Sequence, residues 1–446
     1  MKPMPTPSQR IVIVGAGLVG SLLACYLGRR GYQVEVYERR SDPRIGSMER
    51  GRSINLALSE RGLDALRRID LVDEVMAPAL PMHGRMMHGR DGTLTYQSYS
   101  ADGTRAINSI SRGSLNHTLL DAAERTPGVR LTFDARLTDL DLGGSLATFE
   151  VAGVPGVIDY HALIGADGGG SAVRKALVDT GIIKVTEDIL QSGYKELHIP
   201  PVDGTFALDP DALHIWARGA SMMIALPNPD ASFTCTLFWP MDDFNALTTP
   251  EQILEHFTSE CPDAVPLMPT LVEDYQHNPI GMLGTIHASR WHAHGNVGLI
   301  GDAAHAILPF FGQGANCGFE DVVELDRCLQ ECGGDWAAAL PAYQQRRQVN
   351  AEAIARLAKE NFVEMRDKVN SKAFLVSRKL EHALERALPG TYLSRYEMVS
   401  FTTIPYAEVI ERDSRQRRFV VAGLAAVGVT ALALVVGAAR RAGRRS

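Results

Sequence analysis

Residues 10–38 read RIVIVGAGLVGSLLACYLGRRGYQVEVYE, and this stretch decides the fold. RIVIV (10–14) is the short β-branched run that a buried parallel strand needs. It leads into Gly15-Ala16-Gly17-Leu18-Val19-Gly20, then into a helical pattern through Arg30 capped by Gly31. QVEVY (33–37) alternates like the next strand, and Glu38 closes it. The first glycine makes the tight turn. The second lets a pyrophosphate approach the backbone, and the third lets helix pack on strand, with the helix N-terminus facing the phosphates. Glu38 stands where a carboxylate accepts a ribose hydroxyl. An acid there argues for an unphosphorylated ribose, hence FAD or NAD rather than NADP; the neighbouring Arg39 and Arg40 soften that reading. The expectation is an α/β chain with a Rossmann-type dinucleotide-binding domain.

Two stretches further along choose between dinucleotides. YHALIGADGGGSAVR (160–174) runs an apolar strand into Asp167-Gly168, with Ser171 and Arg174 following. GLIGDAAHAILPFFGQGANCG (298–318) runs a strand into Gly301-Asp302, then Pro309, the Gly312-Gln313-Gly314 turn, Ala315 and a helix from about Asn316. A carboxylate at a strand's C-terminal end can hold a polyol hydroxyl. Glycines let backbone amides approach a flat ring, and a helix N-terminus stabilises negative charge there. A flavin, anionic when reduced, suits this arrangement better than a nicotinamide.

The chain has 446 residues and net charge −7, which offers no basic field for nucleic acid. Its 45% hydrophobic and 22% charged residues are ordinary for a globular protein of two or three domains. Six cysteines without a CxxC pair read as reduced thiols in a cytoplasmic setting. No His/Cys/Asp/Glu group has metal-ligand spacing, so no metal is expected. No GxSxG elbow supports acyl transfer. Residues 419–439 (FVVAGLAAVGVTALALVVGAA) carry no charge and are flanked by arginines on both sides. That length spans a hydrocarbon core of about 30 Å. A single membrane span is the first reading, an amphitropic or packed C-terminal helix the second.

The GxGxxG, DGxxSxxR and GDAAHxxxPxxGQGxN patterns, in this order, resemble the single-component FAD-dependent aromatic hydroxylases. Within that family, GRSINLALS (51–59), GRMMH (84–88), SMMIALPN (221–228), SFTCTLFWP (232–240) and NFVEMRDKVNS (361–371) resemble the kynurenine 3-monooxygenases, over essentially the whole chain. The resemblance implies bound FAD, NADPH as co-substrate, and hydroxylation of L-kynurenine by dioxygen through a flavin hydroperoxide. It implies that the chemistry is flavin-borne, with no catalytic side chain. It assigns Asp302 to the ribityl chain, and Asp167, Arg112, Ala57 and Leu137 to the cofactor's surroundings. It also makes Arg85 the fork for the substrate carboxylate, with Tyr99 as hydroxyl donor (Tyr96 the alternative), and Asn361 and Tyr396 completing the head-group site. Glu364 lies one helical turn from Asn361. Phe238 and Phe310 are candidates for the apolar slot around the ring. His305 orders the turn beside the flavin rather than acting as a base. A hydroxylase of phenols or quinone precursors would need no amino-acid clamp, and a non-catalytic flavin module would bind FAD without turnover.

The expected organisation is an FAD-binding βαβ region over 1–185, rejoined by 290–340. An inserted antiparallel substrate sheet fills 186–289. A helical capping layer follows over 341–413, then a basic-flanked hydrophobic tail over 414–446.

Overall fold

Ile11, Val12 and Ile13 are fully buried, which explains why RIVIV is apolar without alternation: both faces of its sheet are covered. The computed structural model describes residues 9–45, 55–100, 102–367, 381, 383–388 and 390–420, without the side chains of 364–367. The strand Arg10–Val14 pairs in parallel with Gln33–Tyr37 on one side and Ala162–Gly165 on the other. The complete sheet runs His292–Ala293, Val297–Leu299, Ala162–Gly165, Arg10–Val14, Gln33–Tyr37, Val129–Thr132. Helix Leu18–Arg29 packs beside it, with helix Arg112–Arg125 and helix Gly314–Glu331 against that helix. The strands of the 160–174 and 298–318 stretches are adjacent in this sheet (Leu163 opposite Val297), so their C-terminal ends meet the glycine turn at one edge.

A seven-stranded sheet forms the second layer, in the order Gly281–Ala288, Val185–Ile199, Phe233–Pro240, Ser221–Pro227, Ala212–Arg218, Gly84–His88, Leu94–Ser98. Two features differ from the expected antiparallel insert within 186–289. The hairpin of Gly84–His88 and Leu94–Ser98 joins from outside that stretch, and Gly84–His88 pairs in parallel with Ala212–Arg218. Local alternation makes a hairpin readable, but a partner strand more than 100 residues away leaves no local signal. Along Ser221–Pro227, Met222 and Leu226 join one apolar cluster while Met223 and Ala225 join another. The second cluster, on the back face, is covered by helices Pro250–Glu260 and Leu271–His277.

Helix Trp336–Asp367, helix Arg395–Ser400 and a helix over 406–420 follow in the described C-terminal part of the chain. Among the described residues no helix is long and apolar enough to cross a membrane. Apart from Phe419 and Val420, the anchor read at 419–439 lies outside the described residues.

Candidate active site

The two layers enclose a cavity of about 1300 Å³. At its first end lies the glycine turn. Gly15 has φ +104°, and a Cβ there would sit 2.7 Å from the Ala166 carbonyl oxygen. A Cβ on Gly20 would sit 2.0 Å from the Gly15 carbonyl oxygen, so Gly20 serves helix packing and does not line the cavity. Gly17 faces open space, with Leu18 and Val19 beside it on the wall. Glu38 is held by two backbone donors: Ala16 N–H to Oε2 at 2.9 Å and Arg40 N–H to Oε1 at 3.0 Å. Arg39, Arg40 and Arg112 are exposed and line the same end, as does the buried Leu137.

The later motifs close around the middle. Asp167 caps the helix Ala172–Asp179: the Ser171 hydroxyl donates to Oδ1, and Ala172 N–H donates to Oδ2 at 2.6 Å. Burial pushes the Asp167 carboxyl up against the pull of those donors. Asp302 follows Gly301, whose φ of +61° only glycine takes easily, and it opens into the cavity. Pro309, Gly312, Gly314, Ala315 and Asn316 line the opposite wall. Asn316 is buried and ties the SINLALS stretch down: it donates to Ala57 O at 2.9 Å and accepts from Ser59 N–H at 3.0 Å.

The far end is apolar with one cation. Arg85 is 8% exposed, its guanidinium 4.7 Å from the Tyr396 ring and 5.5 Å from the Tyr99 ring. Burial opposes its charge, yet the two tyrosines hold its pKa above the usual arginine value. Its Nε is buried and without a hydrogen-bond partner. No described carboxylate is paired with it. Tyr99 and Tyr396 stack 5.1 Å apart, both buried on the cavity wall. Tyr96 is 47% exposed and lies off the cavity, so the geometry separates the two tyrosine candidates. Phe238 and Phe310 meet at 5.1 Å on the wall. Asn361 stands behind that wall and donates to the Phe310 carbonyl at 2.6 Å. Glu364 lies on the same helix, but its side chain is outside the described residues. Sequence reading missed Leu213, Met222, Ile224, Leu226 and Thr236, which complete the wall. The period-two alternation of SMMIALP was the available signal for three of them.

Residues 8–358 match the family model described as FAD binding domain. The chain is 48% identical to a kynurenine 3-monooxygenase of Myxococcus xanthus, over 89% of this chain and 86% of the relative. It is 46% identical to that of Stenotrophomonas maltophilia (93% and 92%) and 43% identical to that of Dictyostelium discoideum (90% of each). The chain belongs to the kynurenine 3-monooxygenase family. Solved structures of 2-methyl-3-hydroxypyridine-5-carboxylic acid oxygenase (TM-score 0.66, 21% identity, 84% of this chain and 96% of that one) share its fold. So does PqsL of Pseudomonas aeruginosa in complex with 2-aminobenzoylacetate (TM-score 0.67, 22% identity, 80% and 97%).

The residues present fit the FAD of this family. An open glycine turn, a carboxylate fixed at the second strand's end and a helix N-terminus at Gly314 surround one continuous cavity. Behind it, His305, Cys317 and Asp321 lie within 4.8 Å of one another, a grouping that spacing in the sequence did not reveal. Arg347 is the cation there: it donates to Asp321 Oδ1 at 2.7 Å and to Cys317 Sγ at 3.2 Å. Burial would raise the Asp321 carboxyl, but His305 and Arg347 hold it below its usual range. Gly301 N–H also donates to Asp321, at 3.1 Å, so His305 and the Gly301-Asp302 turn share one buried anchor.

Proposed function

We propose that this chain hydroxylates L-kynurenine to 3-hydroxykynurenine, using NADPH and dioxygen. The observation that carries the reading is Arg85: a buried guanidinium with a spare donor, at the far end of an apolar cavity that begins at the FAD motifs. FAD, when bound, accepts electrons from NADPH and activates dioxygen; the protein supplies position and surroundings.

Arg85 takes the substrate carboxylate as a two-pronged donor, and the Tyr99 and Tyr396 hydroxyls add to that clamp. Glu364 is the proposed acceptor for the ammonium. Held by its head, the aniline ring would lie between Phe238, Phe310 and the Met222-Ile224-Leu226 face, with its ortho carbon towards the end of the cavity that the FAD motifs line. Asn361 fixes the Phe310 backbone and so the slot's width. The amine itself activates the ring, so no protein base is required. The apolar wall keeps water from the activated oxygen. A phenol or quinone precursor would leave Arg85 unpaired in a buried site, which is costly. The charge-free 419–439 segment between arginine clusters is proposed to tether the enzyme to a membrane; partition of the full chain and of a chain ending at residue 418 with vesicles tests this.

The deciding experiment measures NADPH oxidation by the FAD-loaded protein with and without L-kynurenine, with the product's mass. Stimulated oxidation and a product heavier by one oxygen are expected. Stimulation yielding only hydrogen peroxide would make kynurenine an effector, and no stimulation would overturn the reading.

A further inference from the structure

The seven-stranded sheet carries a second polar chain on its back face, away from the cavity. His88 and His214 are 4% and 2% exposed. His214 Nε2 lies 2.8 Å from the Asp209 carbonyl oxygen, and a carbonyl only accepts, so His214 keeps its proton on that nitrogen. Burial pushes the His214 imidazole down to about 4, so near neutral pH the ring is uncharged and its Nδ1 accepts. His88 Nε2, 2.8 Å from that Nδ1, therefore donates. His88 Nδ1 lies 2.5 Å from Asp263 Oδ2, and Trp216 Nε1 donates to Asp263 Oδ1 at 2.9 Å. Burial alone would raise the Asp263 carboxyl, but the His88 and Trp216 donors hold it below its usual range. The contacts therefore run unbroken from the Asp209 carbonyl through His214 and His88 to Asp263 and Trp216. The charged neighbours are engaged elsewhere: Arg90 pairs with Glu260, and Arg218 donates to the His88 carbonyl at 2.9 Å.

This chain encloses the strand that carries Arg85. His88 ends that strand, and through His214 it is tied to Asp209. Two residues on, the Asp211 carbonyl accepts from His83 N–H at 2.7 Å, just before the strand begins. The His83 carbonyl in turn accepts from Tyr99 N–H at 3.0 Å. Both ends of Gly84–His88 are therefore fixed to the one turn at 209–211, and Tyr99 is fixed to the same frame. In parallel register Arg85 sits opposite Leu213 and Met86 opposite His214. A shift of the His88 end would move the Arg85 guanidinium across the cavity.

We propose that His88, His214 and Asp263 are positioning residues for Arg85, a proton-ordered brace that sets where the guanidinium meets the substrate carboxylate. This rests on the kynurenine reading of the cavity.

The test compares binding of L-kynurenine with binding of 2-aminoacetophenone, which keeps the aniline and ketone and lacks the amino-acid head. Asp263→Asn keeps an acceptor for Trp216 and removes the second carboxylate oxygen, the one that His88 Nδ1 meets. It is expected to raise the Kd and KM for L-kynurenine about tenfold, with kcat and the Kd for 2-aminoacetophenone within twofold of wild type. The far-downfield proton resonance of the His88–Asp263 hydrogen bond is expected in wild type and lost in the variant. His214→Gln, whose amide can donate to Asp209 O and accept from His88, should retain wild-type affinity. If Asp263→Asn does not take up FAD, His88→Gln replaces it under the same criteria. Equal changes for both ligands, or none, would overturn the brace while leaving the function intact. Failure of the wild type to bind L-kynurenine would remove the function reading, and this proposal with it.

Discussion

Arg85→Ala removes a buried guanidinium that has a spare donor and no described carboxylate partner. A charge-assisted hydrogen bond contributes about 1.5–3 kcal/mol, so the Kd for L-kynurenine should rise roughly 10–100-fold. Flavin reduction by NADPH in the absence of kynurenine should persist; a simple titration followed by the flavin spectrum checks both. Tyr99→Phe should weaken kynurenine several-fold, whereas Tyr96→Phe should leave affinity unchanged, because Tyr96 faces solvent. The sequence preferred Tyr99 through the family resemblance and left Tyr96 open as the alternative. They stand three residues apart, and the choice depends on the chain leaving its strand at Ser98 and turning inward, with Tyr99 N–H bonded to His83 O. Gly20 shows the opposite case. Its place in GxGxxG was readable, and a methyl group 2.0 Å from the Gly15 carbonyl cannot be accommodated. Gly20→Ala should therefore yield protein depleted of FAD and with a lowered melting temperature, measured as the flavin-to-protein absorbance ratio and by thermal scan.

At the scale of elements, the DGxxSxxR pattern is two helix caps laid end to end: Asp167 receives Ser171 and Ala172, and the Ser171 hydroxyl receives Arg174 N–H at 3.0 Å. Ser171→Ala should destabilise the protein by about 1 kcal/mol in urea unfolding, with FAD affinity reduced as Gly168–170 loosen. The back face of the large sheet sets an acid limit. The folded His214 pKa of about 4 lies below its ordinary 6.5, so the native state prefers the neutral ring. That contribution is complete above pH 6.5 and is lost as the pH falls from 6.5 towards 4, by about 3 kcal/mol. Unfolding free energies across that window should show the decline, and His214→Gln should flatten it. This histidine chain had no sequence signature, because its members come from a hairpin, a distant strand and the turn after helix Pro250–Glu260.

Across the molecule, one buried charge network joins the flavin turn to the C-terminal layer. Asp321 holds His305 and Arg347; Arg347 and Arg61 both pair with Glu320; Arg61, fully buried and 3.8 Å from the Tyr406 ring, donates to the Val399, Met398 and Ile404 carbonyls. Removing one charge leaves its partners buried and uncompensated, which costs about 3–5 kcal/mol. Asp321→Leu should lose that much stability in urea and also weaken both FAD and kynurenine binding, since Gly301 and the helix Arg395–Ser400, which carries Tyr396, are tied to opposite ends of the network. By itself the sequence determined the FAD-binding core, because strand, glycine turn, helix and acid follow one another within 29 residues and their geometry is local. The family resemblance singled out Arg85, and the need for an apolar slot singled out Phe238 and Phe310. Only the tertiary structure decided that a hairpin from the first third of the chain completes the seven-stranded sheet, and that Tyr99 rather than Tyr96 faces Arg85. It alone brought His305, Asp321 and Arg347 into one cluster. Those outcomes depend on contacts between distant residues, whose free energy arises only when burial brings their elements together.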